Sequence, residues 1–479
     1  MLKRRIYQCL GVACLSLAFG ACKTPELVVK NADQTVPTTY ANALTSDSTN
    51  TARVRWQEFF TDPNLQGLIT TALQNNQELN ITLQEIEIAR NEVRFRKGAY
   101  LPSVGFGGRA GLEKVGRYTL QGATEENVDI RPARNTPDPL PNFELGAVAS
   151  WEVDIWHKLR NEKKAAARRY LATVEGRNFT VTNLIAELAN AYYELLALDN
   201  QLAIVQQNIE IQNNALRIVR LQKEAARATE LAVQRFEAQV QNTTARQYNI
   251  QQRIIETENR INFLVGRYPQ PVARNPETFN DLLPRLVQNG VPPQLLSNRP
   301  DIRQAEQNLA AAKLDVLAAR ANFYPSLNIS AAAGLQAFRP GLLLSTPQSM
   351  LYSLAGDLTG PIINKNAIKA TYYSANARQT QAVYQYERTV LNAYIEVANQ
   401  LSSISNLANS YEAKRKEVQA LNQSISISNS LFRSARADYT EVLFTQRDAL
   451  ESKFDLIETK MRQLNATVNV YQALGGGWQ

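Results

Sequence analysis

The hydrophobic pattern changes period twice along this chain, in the same way each time. Leu309, Ala312, Val316 and Ala319 recur at spacings of three and four, which predicts a helix. Pro300 and Asp301 open it, a proline suited to a first helical position and an acid suited to the positive end of the helix dipole. Pro325 stops it, and beyond it Leu327, Ile329, Ala331 and Ala333 alternate with Asn328, Ser330 and Ala332, the period of a strand. Residues 75–111 repeat the event: Pro102-Ser103 answers Pro325-Ser326, and Gly111 answers Gly334, both at an offset of 223. Glu187-Leu188-Ala189-Asn190 is echoed by Glu396-Val397-Ala398-Asn399 at 209, and Thr229-Glu230 by Thr440-Glu441 at 211. Two copies of a unit about 210 residues long therefore fill most of the chain.

The remaining pattern fills in each copy. Asp62-Pro63 predicts an N-cap and a first-turn proline for a helix reaching Gly98, broken near Asn75-Asn76. A strand over 103–112 follows, then a loop over 113–142 with four of the nineteen prolines. In the next strand Phe143, Leu145, Ala147, Ala149, Trp151 and Val153 alternate with Glu144, Gly146, Val148, Ser150, Glu152 and Asp154. One apolar and one polar face fit a strand between lipid and a wet lumen, and equally a half-buried soluble hairpin. Residues 158–225 lack proline, and Leu184, Leu188, Ala191, Leu195, Leu198, Leu202, Val205 and Ile209 form a heptad seam. At 1.5 Å per residue this is a rod of roughly 100 Å. The rod must turn somewhere before a return helix that runs to Val265 and that Thr229 can cap. The second copy has a helix from Asp301, a strand from Ser326, a loop over 335–349 and a strand over 351–358. A second rod over 366–433 turns at Ser434-Ala435-Arg436-Ala437-Asp438-Tyr439 and returns towards Leu474.

Composition narrows the class. Lys3, Arg4 and Arg5 precede an apolar run from Cys9 to Ala21, too short to span a bilayer, which reads as a signal peptide. Ala18-Phe19-Gly20-Ala21-Cys22 resembles a lipobox with Phe where Leu is usual. Cleavage there leaves Cys22 as the one mature cysteine, either a lipid acceptor or a stray residue after ordinary cleavage; lipidation accounts for the spare thiol. Lys and Arg number 52 against 44 acids, a net +8 with the signs interspersed and no block of the kind nucleic acid demands. After the leader no segment holds eighteen uncharged apolar residues, so any membrane crossing must use strands.

Arg299-Pro300-Asp301-Ile302-Arg303-Gln304-Ala305-Glu306, the stretch ARANFYPSLNIS, the earlier ELLALDNQL and the terminal ALGGGW closely resemble the TolC-like outer-membrane efflux proteins of the lipoprotein-bearing NodT and OprM type. The resemblance covers residues 54–478. It implies a mainly α, tandem-duplicated fold with a long coiled-coil helical tunnel. Four strands per protomer would join in a trimer to form a twelve-stranded barrel. The expected organisation is a signal peptide (1–21), a lipid-anchored polar tether (22–55), a first efflux repeat (56–265), a proline-rich equatorial segment (266–300), a second repeat (301–474) and a tail (475–479). The resemblance also implies a passive outer-membrane exit duct working with a periplasmic adaptor and an inner-membrane pump of the RND type; it puts the first turn at Ala225-Ala226-Arg227-Ala228-Thr229-Glu230 and places both turns at the adaptor. At the closed end the family pattern YLTLLDAQR is matched by Tyr439 to Arg447. Arg447 is kept, but Thr440 replaces Leu and Phe444 replaces Asp, and these three share one helical face. Facing inward they would form an apolar gate; the competing reading makes Phe444 a core residue between helices.

Candidate chemistry is sparse. His157, the one histidine, lies at a strand-to-helix corner, and with Cys22 alone a zinc or thiol site has no material. The glycines of ALGGGW follow a helix rather than a strand, so no phosphate loop is indicated. No catalytic constellation and no cofactor are expected. Two other functions stay open: the outer duct of type I protein secretion, and a periplasmic coiled-coil scaffold with no pore.

Overall fold

In a computed structural model of the chain the described residues are 26–27, 29–40, 50–131, 134–282, 288–361, 363–434 and 436–479. The elements used below are α1 (Pro63–Asn75), α2 (Gln77–Tyr100), β1 (Ser103–Glu113), α3 (Leu120–Asn127), β2 (Leu140–Val153), α4 (Lys158–Glu224), α5 (Glu230–Val265), α6 (Pro300–Ala321), β3 (Ser326–Ala337), β4 (Met350–Thr359), α7 (Asn366–Arg433) and α8 (Tyr439–Ala473). Contacts divide them into two units. Among the described residues, a sheet unit holds 26–27 and 29–31, Glu87–Tyr170 and Gln307–Val383; a helical unit holds Ala32–Ile86, Leu171–Glu306 and Tyr384–Gln479.

In the sheet unit the strands form one antiparallel sheet in the order β1-β2-β3-β4. Gly146 of β2 pairs with Gly107 and Gly334 on either side, and a Cβ on Gly146 would lie 2.7 Å from the Ala333 carbonyl oxygen. Only glycine fits that approach. Each outgoing strand ends in a corner residue in the left-handed region, His157 (φ 61°) and Asn364 (φ 55°), residue types that tolerate it better than most. Asp154 then caps α4, accepting from Leu159 N at 3.0 Å and Arg160 N at 2.9 Å. The proline-rich stretch after β1, expected as a plain loop, contains α3, whose N-cap Thr119 accepts from Gly122 N at 3.1 Å. At the chain's start, the amide of buried Gln379 bonds both backbone groups of Lys30, accepting at 3.2 Å and donating at 2.7 Å.

In the helical unit the heptad seam of α4 is buried at Leu184, Leu188, Ala191, Leu195, Leu198 and Val205, and half-buried at Leu202 and Ile209. Ile185, Ala189, Tyr192 and Leu196 are buried too, so α4 packs on more than one side. Its core partners come from α1, α5 and α8, with Ile69, Ile261 and Val468 among them. Asp62 caps α1 as expected and also accepts from the Tyr192 hydroxyl at 2.8 Å. The expected break in the first helix falls at Asn76, between α1 and α2. Among the described residues, two short 3-10 turns and one four-residue helix follow α5 before α6. Two arginines hold this irregular stretch. Arg274 bonds Asp199 and Glu258, and Arg299 bonds Asp301, Glu396 (2.7 Å) and the Ala473 carbonyl (2.8 Å). Asp301, expected to serve the helix dipole, thus also holds Arg299. Gly475 (φ 89°) sits so close to Asn298 that a Cβ would lie 2.6 Å from its carbonyl oxygen, and Trp478 Nε1 donates to that oxygen at 3.3 Å.

The two copies relate at the helical turns by 209 rather than 211. Thr229 caps α5 and Asp438 occupies the cap of α8, so Thr440-Glu441 lie two residues further along than Thr229-Glu230. The drop from 223 to 209 lies between the strands: the connection 114–139 is fourteen residues longer than 338–349.

Candidate functional site: an amphipathic sheet and two helical turns

Register extends the two-faced character of β2 across the whole sheet. Phe106, Ala147, Ala333 and Tyr352 form one row, and Val104, Ala149, Ala331 and Leu354 the next. With Leu112, Leu145, Trp151, Ile329 and Leu358 they make one apolar face. The opposite face carries Ser103-Ser150-Ser330, Arg109-Glu144-Gln336 and Glu152-Asn328-Asp357 in register. In the protomer the apolar face is open, with Phe106 77% and Tyr352 87% exposed. The outer edges of β1 and β4 have no strand partner among the described residues. An open apolar face with two free edges is unstable in water. At about 3.4 Å per residue the eleven residues of β1 extend about 37 Å. At a tilt of about 40° they cover roughly 28 Å along the normal, enough for an apolar band of about 25 Å. Among the described residues no helix is long and apolar enough to cross a membrane.

At the first turn Ala226 N donates to Lys223 O at 2.9 Å and Arg227 N to Gln222 O at 2.7 Å. This double closure forces Ala226 to φ 50°, a left-handed position where glycine is favoured. Ala225, Ala226, Arg227, Thr229 and Glu230 are exposed and Ala228 half-buried. Thr229 Oγ1 accepts from Ala232 N at 3.2 Å, and Lys223, bonded to Glu230 across the turn, holds that carboxyl below its usual range. At the second turn Arg436 N reaches Leu431 O at 2.9 Å, the same six-residue closure. Ser434, Arg436 and Asp438 are exposed, Ala437 and Tyr439 half-buried. Tyr439, Leu443 and Ala228 pack against Leu216, Val219 and Phe236, so the two turns share one apolar cluster. Ala435 and Cys22 lie outside the described residues.

On α8, Val442, Gln446, Ala449 and Leu450 are buried, whereas Thr440 is half-buried and Phe444 is 51% exposed. Phe444 is therefore not a core residue of its own protomer. Arg447 lies 5.0 Å over its ring and bonds Asp448 Oδ1 through Nε (3.2 Å) and a terminal nitrogen (3.0 Å). The acidic partner that Arg447 lacks at position 444 is thus found at its neighbour. His157 is exposed, with Nδ1 3.3 Å from an Arg160 nitrogen. Among the described residues no group of three His, Cys, Asp or Glu is placed to hold a metal ion. The Arg299 clamp and the corner conformations of His157 and Asn364 were not anticipated; a polar residue just before each rod was the one available sign.

Comparison with known proteins agrees with this architecture. The chain is 28% identical over 471 residues to the pyoverdine export outer membrane protein OpmQ of Pseudomonas aeruginosa, covering 98% of this chain and 96% of that one. It is 28% identical over 424 residues to the toluene efflux pump outer membrane protein TtgC of Pseudomonas putida, covering 88% and 85%. The open state of the Neisseria gonorrhoeae MtrE outer membrane channel superposes with a TM-score of 0.82 at 23% identity, covering 96% of this chain and 99% of that one. The fold is the TolC-like one, a duplicated helical tunnel with barrel strands. The family model described as outer membrane efflux protein matches residues 68–267 and 291–476. The chain belongs to the outer membrane efflux protein family.

Proposed function

We propose that three copies of this chain form a passive exit duct through the outer membrane, docking a periplasmic adaptor and an inner-membrane pump of the RND type. One observation carries the reading: a four-stranded sheet with one continuous apolar face, one polar face and, among the described residues, no strand partner at either edge. Four strands cannot close a barrel, for which about eight is the practical minimum. Edge-to-edge pairing of β1 with β4 of the next copy satisfies both edges and turns the polar face inward around water. Three copies give twelve strands. Relatives named for pyoverdine export and toluene efflux favour a small-molecule cargo over secreted protein. A non-pore scaffold leaves the apolar face uncovered.

In the same reading Cys22 carries the lipid anchor, and the turns 225–230 and 434–439 receive the adaptor. Thr440, Phe444 and Arg447 form the constriction, with Phe444 supplying an apolar ring and Asp448 holding Arg447. Exposed Phe444 beside buried Val442 and Gln446 supports this orientation. Cysteine crosslinking is the test. Pairs across β1 and β4 should trap covalent trimers, and cysteines at Ala226 and Ala435 should capture the adaptor while one at Gln121 does not. Crosslinked dimers only, or capture through Gln121 alone, would overturn the assembly or the orientation.

A further inference from the structure

The helical segments of the sheet unit carry a charge that the chain as a whole conceals. Residues 87–100, 154–170, 307–325 and 360–383 hold fifteen Lys and Arg against five Asp and Glu. The four strands hold one arginine, Arg109, against Glu113, Glu144, Glu152 and Asp357. All five acids of the helical segments already face an arginine. Glu87 meets Arg90 (2.5 Å), Glu92 and Glu162 meet Arg96 (2.8 and 2.9 Å), Asp154 meets Arg160 (3.7 Å), and Asp315 meets Arg169. The segments thus keep a large cationic excess that their own acids do not neutralise.

Two of these cations gather at one aromatic ring. Arg160 Cζ lies 5.4 Å and Lys163 Nζ 5.5 Å from the Tyr100 centroid. Tyr100 ends α2, and its carbonyl accepts from Trp151 Nε1 at 3.2 Å, a side chain of the apolar sheet face. Four residues before Arg160, Trp156 stacks on Tyr324 at 4.6 Å and donates to the Pro325 carbonyl at 2.7 Å, with 45% of its surface exposed. Along the chain out of β2 the order is apolar Val153, aromatic Trp156, then cationic Arg160 and Lys163. Amphipathic rings belong at the boundary of hydrocarbon and water, and long cationic side chains reach from there to the headgroups. The anions at that depth are lipid phosphates.

We propose that Arg160 and Lys163, gathered on Tyr100, bind the phosphate of an anionic phospholipid headgroup at the helix-side boundary of the sheet. This rests on the reading that the apolar face meets lipid. The test uses full-length trimers in nanodiscs of phosphatidylcholine containing a small share of phosphatidylglycerol brominated near the headgroup, read by tryptophan quenching. Wild-type quenching should exceed the value set by the mole fraction of brominated lipid. Arg160→Gln/Lys163→Gln should lower that enrichment roughly tenfold or more, whereas Arg160→Lys/Lys163→Arg should keep it. Quenching at the mole-fraction value in wild type, or unchanged enrichment in the glutamine variant, overturns the proposal. Enrichment abolished by inorganic phosphate equally in both discs and detergent would assign the cations to free anions instead. Failure to enter nanodiscs at all would strike the membrane reading itself.

Discussion

Arg299 shows how much one side chain carries in this fold. It is 6% exposed and ties the start of α6 to Glu396 of α7 and to the end of α8. Arg299→Ala strands the buried Ala473 carbonyl and the largely covered Asp301 carboxylate, while half-exposed Glu396 turns to water, and should cost about 1–3 kcal/mol, read as a lowered thermal midpoint in detergent. Lys460 is the opposite case, a buried ammonium beside the Tyr411 ring whose burial pushes its pKa below the ordinary lysine value of 10.5. The unfolded chain holds that proton more tightly, so this group makes stability rise with pH until the ordinary value is reached. Lys460→Met should raise stability at neutral pH, with a gain over wild type that shrinks as pH approaches 10.5; a pH series of thermal midpoints checks it. Caps such as Asp62 and Thr229 were legible in the sequence because their partners lie two or three residues away. The clamp was not, since Glu396 and Ala473 lie 97 and 174 residues from Arg299.

Among the elements, strands and long helices were legible because each face repeats over many residues. β1, β3 and both rods begin at the residues the pattern named, and α4 ends one residue short of the expected place. α3 was hidden by the prolines around it. The offset of 211 was misleading because a Thr-Glu pair recurs by chance two residues past the true cap. The basic excess beside the sheet escaped notice because four separate segments supply it. For the sheet, Gly146→Val should block the close pairing with β3, since its Cβ would also lie 2.9 Å from Gly334 Cα. The expected outcome is loss of heat-resistant trimers on gels, whereas Gly105→Ala, with nothing near its Cβ, should keep them. At the first turn Ala226→Gly should relieve left-handed strain and raise stability by about 1 kcal/mol, measured by chemical unfolding.

At the scale of the whole molecule, the two-faced sheet needs neighbours, and in the proposed duct lipid and sister strands provide them. The duplication supplies two strand pairs per chain, so the proposed ring of three would use six copies of one pair. If α8 narrows the duct, its state is set by Phe444 and Arg447 rather than by an acidic ring. Phe444→Ala and Arg447→Ala should then each give a larger open conductance and greater sensitivity to large antibiotics, with trimers intact. Unchanged values in both would remove these residues from the gate. The most direct measurement is single-channel recording of the purified full-length protein in planar bilayers. The account predicts discrete, long-lived conductance steps from trimers, increased by Phe444→Ala. Stable trimers that insert yet conduct no ions, in wild type and in Phe444→Ala alike, would contradict it.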